Sequence, residues 1–507
     1  FDFSLCLVGS DIFIRDRHNL SSLLLSDLCL VGGLIPEYQH LIIDEAHNLE
    51  DEATRQLGFN VSANKLTELI DAQNQLMSGI DAATKKDGST SSIRQEATKA
   101  KFEVVDTGQT LANLWNRLWD EIERFQDSQK PGTRDNSQQM LLTSEVRNSK
   151  SWNDLHIAWE NLDVGLQQAS HNIGNLHRFL EATQLSAAND QPALVMETAN
   201  LMDNVDSMRE EFSSIIGNPS DNDIHWISND QIRGNVTISL NSAPLDVSGT
   251  LSENLFKHKD SVILTSATLS TEGNFEYFKG RVGVGSDPDE LLVGSPFDYQ
   301  KAALLLIPED MPPPNSDQYI DAMVRVLTDL GTTMKGHTMA LFTSYASLRA
   351  VAQRLRSPLM GQDIQVLAQS IDGSAQQLMN RFTEEPNSVL LGTASFWEGV
   401  DLPSGLLKAL VLTRLPFAVP TDPVVMARSN QYDNPFSEFS VPQAVLRFRQ
   451  GFGRLIRNKD DQGTIVIMDN RITGKSYGNS FLKSIPPCTL KPSSLTTIGQ
   501  LASQWLT

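Results

Sequence analysis

The sequence predicts an α/β protein with two parallel sheets and a helical block set between their parts. Three observations lead there. The apolar run Leu41-Ile42-Ile43 passes straight into two carboxylates, Asp44 and Glu45, as expected for a strand buried on both faces of a parallel sheet. Apolar residues then recur at Leu111, Trp115, Leu118, Ile122 and Phe125, spacings of 4, 3, 4 and 3 that mark the seam of a helix. Past about residue 280, strand patterns alternate with helical ones, which implies βαβ units and a second parallel sheet.

Taken in order, residues 1–59 hold a helix-like segment at 21–30, a turn at Gly32-Gly33 and the acidic strand end. Glu50-Asp51-Glu52 reads as the solvated first turn of a helix. Residues 60–225 form the helical block, with a second seam at Leu201, Val205, Met208, Phe212 and Ile215 and a third face carrying Trp152 and Trp159. Core packing is the reading for those tryptophans. The polar stretches 85–98 and 127–150 read as loops. Residues 226–279 return to strands at 236–240 and 261–264, the latter running into Thr265-Ser266-Ala267-Thr268. Residues 280–507 supply strands at 339–342, 365–368, 389–391, 409–412 and 464–468, with a helix at 345–355.

The totals set bounds. A chain of 507 residues accommodates three or four domains, and 40% hydrophobic content is ordinary for a globular protein. No stretch supplies the roughly 20 uninterrupted apolar residues of a membrane span; the best candidate, 20–43, is broken by Asp27, Pro36-Glu37 and Gln39-His40. Three cysteines, Cys6, Cys29 and Cys488, are too few for a disulfide framework, and they cannot supply the four thiolates of an iron–sulfur cluster. The first residues, Phe1-Asp2-Phe3, lack an initiator Met and a basic leader, so the expectation is a piece of a longer reading frame. Net charge is −21, yet residues 443–459 carry five cations and no acid. One basic stripe on an acidic body calls for a specific anion, phosphate first.

The chemistry concentrates at two strings. Carboxylates at the carboxyl end of a buried strand sit where open α/β sheets bind ligands. There Asp44 can hold Mg²⁺, and Glu45 can orient or deprotonate the water that attacks a γ-phosphate. The second string is Gln450-Gly451-Phe452-Gly453-Arg454-Leu455-Ile456-Arg457. Arg454 and Arg457, three apart, would share one helix face and clamp phosphate oxygens. Arg447 and Arg449 read as cations of an exposed basic helix.

Asp44-Glu45-Ala46-His47, Ser266-Ala267-Thr268, Phe396-Trp397-Glu398-Gly399-Val400-Asp401 and the 450–457 string, in this order, resemble motifs II, III, V and VI of the Rad3/XPD-like superfamily 2 helicases, most closely the DinG type. The resemblance implies two RecA-like motor domains, the first truncated, with a helical Arch inserted between motifs II and III. It implies ATP and Mg²⁺ as nucleotide and metal, single-stranded or forked DNA as substrate, 5′→3′ movement, a role in repair or replication, and a bacterial cytoplasmic, nucleoid-associated setting. By residue, it makes Asp44 the Mg²⁺ ligand and Glu45, Arg454 and Arg457 the hydrolytic groups. His47, Ser266, Thr268, Glu398, Gly399, Asp401 and Gln450 would couple nucleotide to movement. Tyr345, Phe396 and Trp397 would contact nucleic acid. One family element has no counterpart: no Gly-x-x-x-x-Gly-Lys-[Ser/Thr] loop occurs. The only Gly-Lys-Ser, at 474–476, has Asp469 where the first glycine belongs and follows motif VI. ATP hydrolysis by residues 1–507 alone is therefore expected to be weak or absent. The alternative is a nucleic-acid-binding or scaffold protein that has lost the activity.

Overall fold

The computed structural model describes residues 6–8, 11–13, 38–86, 91–129, 139–183, 191–232, 235–271, 273–285, 287–397 and 402–507. The chain folds as two compact units. The first comprises Phe1–Ala53, Val247–Pro420 and Arg428–Thr507; the second comprises Thr54–Asp246 with Thr421–Ala427.

In the first unit β1 (Cys6–Val8) pairs antiparallel with β2 (Asp11–Phe13), which runs parallel to β3 (His40–Asp44). β3 alternates: Leu41 and Ile43 are buried, whereas Ile42 is 36% exposed. The expectation of cover on both faces is corrected here. Among the described residues one face of this sheet is packed and the Ile42 face is left open, so the strand shows a two-residue period despite its unbroken apolar run. Glu45 then leaves the strand with φ 52° and opens a short turn, Ala46–Asn48, ahead of α1 (Leu49–Leu57). Glu50, Asp51 and Glu52 lie in the first turn of α1, where acids complement the helix dipole.

The second unit is built from β4 (Phe59–Ser62), α2 (Lys65–Lys86), α3 (Ser91–Gln129), β5 (Met140–Leu141), α4 (Lys150–Ala182), α5 (Gln191–Phe212), β6 (Asp223–Ile232) and β7 (Asn235–Pro244). The predicted seams form its core: Leu111, Trp115, Leu118, Ile122 and Phe125 on α3 are all buried, as are Leu201, Val205, Met208 and Phe212 on α5. The Phe212 ring stacks on Trp159 at 5.7 Å between centroids and meets Trp115 edge-on at 5.3 Å. Such pairs add to area burial, and they place the tryptophans in packing. Ser149 starts α4 by accepting the Trp152 backbone N–H on its hydroxyl. Two expectations change. Residues 91–98, read as a loop, form the first turns of α3, because Ala97 is buried and Ile93 packs on the core. The strand at 236–240, assigned to the first motor domain, belongs to β7, which pairs antiparallel with β6 and β4; this unit therefore extends to Asp246.

Returning to the first unit, β8 (Ser261–Thr265) lies parallel to β3 with Asp44 opposite Thr265. α6 (Glu276–Val282) ends at Gly283, φ 73°, where a Cβ would sit 2.1 Å from the Ser248 carbonyl oxygen. Only glycine fits that cap. The chain then builds β9 (Ala303–Pro308), α7 (Gln318–Thr333), β10 (Thr338–Leu341), α8 (Tyr345–Met360), β11 (Gln365–Ala368), α9 (Ala375–Glu384), β12 (Ser388–Gly392), β13 (Ala409–Leu412), α10 (Pro423–Ser429, of which all before Arg428 belongs to the second unit), α11 (Val441–Phe452), β14 (Gly463–Ile467), α12 (Gly478–Ser484), β15 (Thr489–Ser493) and α13 (Ile498–Leu506). The strands form one parallel sheet in the order β11-β12-β10-β13-β14-β9-β15. β9, β10, β12, β13 and β14 are buried throughout, as their continuous apolar runs require. Leu341 stands opposite both Gly392 and Leu412. The loops after β10, β12 and β13 therefore leave the sheet along one carboxyl edge.

Candidate active site

The β3–β8 register sets the acidic strand end beside the Ser-Ala-Thr loop, and their side chains join. Asp44 is exposed and its Oδ1 accepts the Glu45 backbone N–H at 2.9 Å. Glu45 holds left-handed backbone, a costly state for a residue with a Cβ that recurs at functional turns. The Ser266 hydroxyl lies 3.3 Å from Glu45 Oε2 and 2.8 Å from His47 Nδ1, and the Thr268 backbone N–H reaches Ser266 Oγ at 3.2 Å. One proton arrangement satisfies all three contacts: Ser266 donates to Glu45 and accepts from Nδ1–H of His47 and from Thr268. Gln450 on α11 donates from Nε2 to Thr268 Oγ1 at 3.3 Å. Of the predicted coupling residues, His47, Ser266, Thr268 and Gln450 thus form one chain of hydrogen bonds starting at Glu45. Glu398, Gly399 and Asp401 lie outside the described residues.

Next to Gln450, Arg449 donates to the carbonyl oxygens of Ala267, at 3.1 Å, and Ser270. It is therefore no surface cation seeking an acid. Its charge is spent on the loop that follows β8, and burial lowers its pKa from the usual guanidinium value. A sequence cannot show that an arginine will meet carbonyls, so this tie was missed.

The expectation that Arg454 and Arg457 share a helix face is corrected. α11 ends at Phe452 with Gly453 as its cap, and both arginines follow in irregular chain. Arg454 forks onto the Trp397 carbonyl oxygen through Nε at 3.2 Å and Nη2 at 2.8 Å. The Arg457 backbone N–H is taken by Asp461 Oδ2 at 2.9 Å, a bond that turns the chain away from a further helical turn.

Two of the three aromatic candidates for nucleic-acid contact are also corrected. Phe396 is 0% and Trp397 4% exposed, and the Trp397 indole N–H donates to the Phe342 carbonyl oxygen at 3.1 Å. Both rings are core, with no face open to a base. Trp397 also explains a glycine of the 450–457 string, since a Cβ on Gly451 would lie 2.5 Å from its ring. Tyr345, the first residue of α8, is 43% exposed, and its hydroxyl accepts from Gln369 Nε2 at 3.3 Å. Gly474-Lys475-Ser476 forms the end of a short helix, Arg471–Gly474, and the residues after it, anchored by the buried Asp469, whose Oδ2 accepts the Leu415 N–H at 2.9 Å and pairs with Arg471. It is a structural turn.

One turn beyond the acidic box, Glu50 receives Arg281 Nε at 3.0 Å and Arg428 Nη1 at 2.6 Å. Burial works against the Arg281 charge, but Glu50 beside it wins and holds the guanidinium above its ordinary pKa. Arg428 and Arg281 are both largely out of solvent, and removing Glu50 takes away the carboxylate to which both donate. Glu50→Ala is expected to cost on the order of 3–5 kcal/mol, read from denaturant unfolding. Arg428→Met should cost less, because one guanidinium still neutralises Glu50. Equal, small effects would show that water already screens the cluster.

The helicase C-terminal domain family model matches residues 327–488. The 3′-5′ exonuclease DinG of Bacillus subtilis is 29% identical over 499 residues, covering 94% of this chain and 52% of that protein. The ATP-dependent DNA helicase YoaA of Escherichia coli is 29% identical over 493 residues, covering 95% of this chain and 67% of that protein. The chain is similar to Rad3/XPD-like superfamily 2 helicases of the DinG and YoaA type over nearly its whole length. It spans about half the length of the Bacillus relative and two thirds of the Escherichia one. The solved structure of S. tokodaii Xpd4 aligns with 93% of this chain and 80% of its own at a TM-score of 0.48 and 15% identity. No helix among the described residues is long and apolar enough to cross a membrane.

Proposed function

We propose that this chain carries the hydrolytic and coupling core of an ATP-dependent 5′→3′ DNA translocase of the DinG type. Its substrate is single-stranded or forked DNA, met during repair or replication in the bacterial cytoplasm at the nucleoid. The observation that carries the reading is the hydrogen-bonded chain Glu45–Ser266–Thr268–Gln450, with His47 on Ser266. It gives the water-activating carboxylate a physical connection to α11, on which the arginine loop follows.

Mg²⁺ favours one or two carboxylates plus waters and phosphate oxygens over an all-protein cage. The exposed Asp44 fits that preference, and no cluster of three metal-type side chains occurs among the described residues. Asp44 would hold the ion, which neutralises charge on the phosphates. Glu45 positions the attacking water and accepts its proton, with Ser266 and His47 fixing the carboxylate. Arg454 and Arg457 offset the charge that develops on the triphosphate. Tyr345 stacks on the DNA. The direction of movement is carried over from the family.

The sequence contains no phosphate-cradling Gly-Lys-[Ser/Thr] loop, so residues 1–507 by themselves should hydrolyse ATP weakly or not at all. The deciding experiment uses the complete reading frame, measuring ATPase with and without single-stranded DNA and unwinding of duplexes bearing 5′ or 3′ overhangs. DNA-stimulated hydrolysis and unwinding from 5′ overhangs are expected. DNA binding without hydrolysis would instead favour a scaffold that has lost its activity.

A further inference from the structure

Asp461 lies on the loop between α11 and β14, outside every motif singled out in the sequence. It is 6% exposed, and its carboxylate is filled by donors from its own loop and from one other segment. Oδ1 accepts the Ser404 hydroxyl and the Gly405 backbone N–H, the latter at 2.9 Å. Oδ2 accepts the backbone N–H groups of Arg457 and Asn458, each at 2.9 Å. Burial alone would raise this carboxyl's pKa, but the four donors prevail and hold it below the usual value. The charge is therefore used in tying its own loop to the Ser404–Gly405 turn.

The two joined segments are informative. Ser404-Gly405 comes three residues after Asp401, the last residue of the string at 396–401. Gly405 has φ 73°, a conformation other residues adopt only with strain, so its N–H is aimed at the carboxylate by a turn that glycine permits. Arg457-Asn458 is irregular chain beyond the end of α11. No helix ladder sets the backbone of Arg457, so the bond from its N–H to Asp461 is one of the contacts that fix it.

We propose that Asp461 is a positioning residue that fixes the Arg457 backbone to the Ser404–Gly405 turn and so holds the arginine in register for phosphoryl transfer. This rests on the reading of Arg457 as a triphosphate contact. Asp461 touches no substrate. An asparagine there keeps the shape but turns its N–H₂ either toward the Arg457 and Asn458 N–H groups, losing both bonds, or toward the Gly405 N–H, losing that one; either way the removed charge weakens the tie.

The test uses the complete reading frame and steady-state ATPase at saturating single-stranded DNA, on Asp461→Asn, Ser404→Ala, Arg457→Ala and the Asp461→Asn/Arg457→Ala double variant. Asp461→Asn should lower kcat by about tenfold or more with KM for ATP within about threefold. Ser404→Ala, which removes one of four donors, should lower it by about two- to threefold. The decisive readout is the double variant, whose kcat should be no lower than that of Arg457→Ala, since both changes remove one function. A purely structural role predicts multiplied losses, and that result overturns the proposal. Wild-type kcat in Asp461→Asn beside a depressed Arg457→Ala also overturns it while leaving the role of Arg457 standing. Wild-type kcat in Arg457→Ala removes both. Should Asp461→Asn fail to fold, an undiminished Ser404→Ala, or one that lowers kcat equally with and without Arg457, would count against the proposal.

Discussion

Glu45→Gln in the complete reading frame should reduce DNA-stimulated ATP hydrolysis by about 10²–10⁴-fold, the range that general-base catalysis contributes. The substitution is nearly isosteric, and a glutamine Oε1 can still accept the Ser266 hydroxyl that now reaches Glu45 at 3.3 Å. What disappears is the negative charge that, on the proposed mechanism, orients a water and accepts its proton. Binding of ATP and of single-stranded DNA should therefore change little, and the loss should appear in kcat. Ser266→Ala separates the other half of the arrangement. It keeps the Glu45 carboxylate but removes the hydroxyl joining it to His47 and to the Thr268 backbone, so hydrolysis should survive better than DNA stimulation does. Measuring kcat with and without DNA for both variants checks the assignment. A Glu45→Gln protein that still hydrolyses ATP at a tenth of the wild-type rate or better would show that another group activates the water.

The parts of this site that were legible in the sequence are those where short-range pattern and chemistry coincide. An apolar run ending in Asp44-Glu45 and another ending in Ser266-Ala267-Thr268 define two strand ends, and parallel pairing brings strand ends together whatever lies between them. The resemblance to motifs II and III assigned residues about 220 positions apart to one site, and the strand register agrees with it. The helical seams were legible for the same reason, since a 3.6-residue period records one buried face.

Illegible features were those decided by a single backbone turn or by contact with main chain. The spacing of Arg454 and Arg457 suits a shared helix face, but Gly453 and the Asp461 carboxylate end the helix first. Arg449 looked like any surface cation until its carbonyl partners were in place. The open face of β3 could not be read from Leu41-Ile42-Ile43, because an apolar residue on an uncovered face leaves the same letters. Asp461 gave no signal at all, since one aspartate in a loop looks like every other.

Trp397→Ala should lower stability by about 3–5 kcal/mol, the usual range for emptying a buried aromatic site. It also strands the Phe342 carbonyl oxygen that now accepts the indole N–H. Tyr345→Ala should do the reverse, costing little stability because the ring is 43% exposed. It should instead weaken single-stranded DNA binding by about 1–3 kcal/mol if the ring stacks on a base. Local hydrogen exchange in the β10–β12 region is the better stability probe, because the chain has two compact units and need not unfold in one step. Gly451 supplies the internal control. An added methyl there meets the Trp397 ring at 2.5 Å, so Gly451→Ala should destabilise by about 1–3 kcal/mol through overpacking. In the Trp397→Ala background the methyl enters vacated space, and the two costs should fall well short of adding. Additive costs would mean that Gly451 is required for some reason other than the tryptophan. Unchanged exchange in Trp397→Ala, together with weakened DNA binding, would return Trp397 to the DNA surface and reverse its placement in the core.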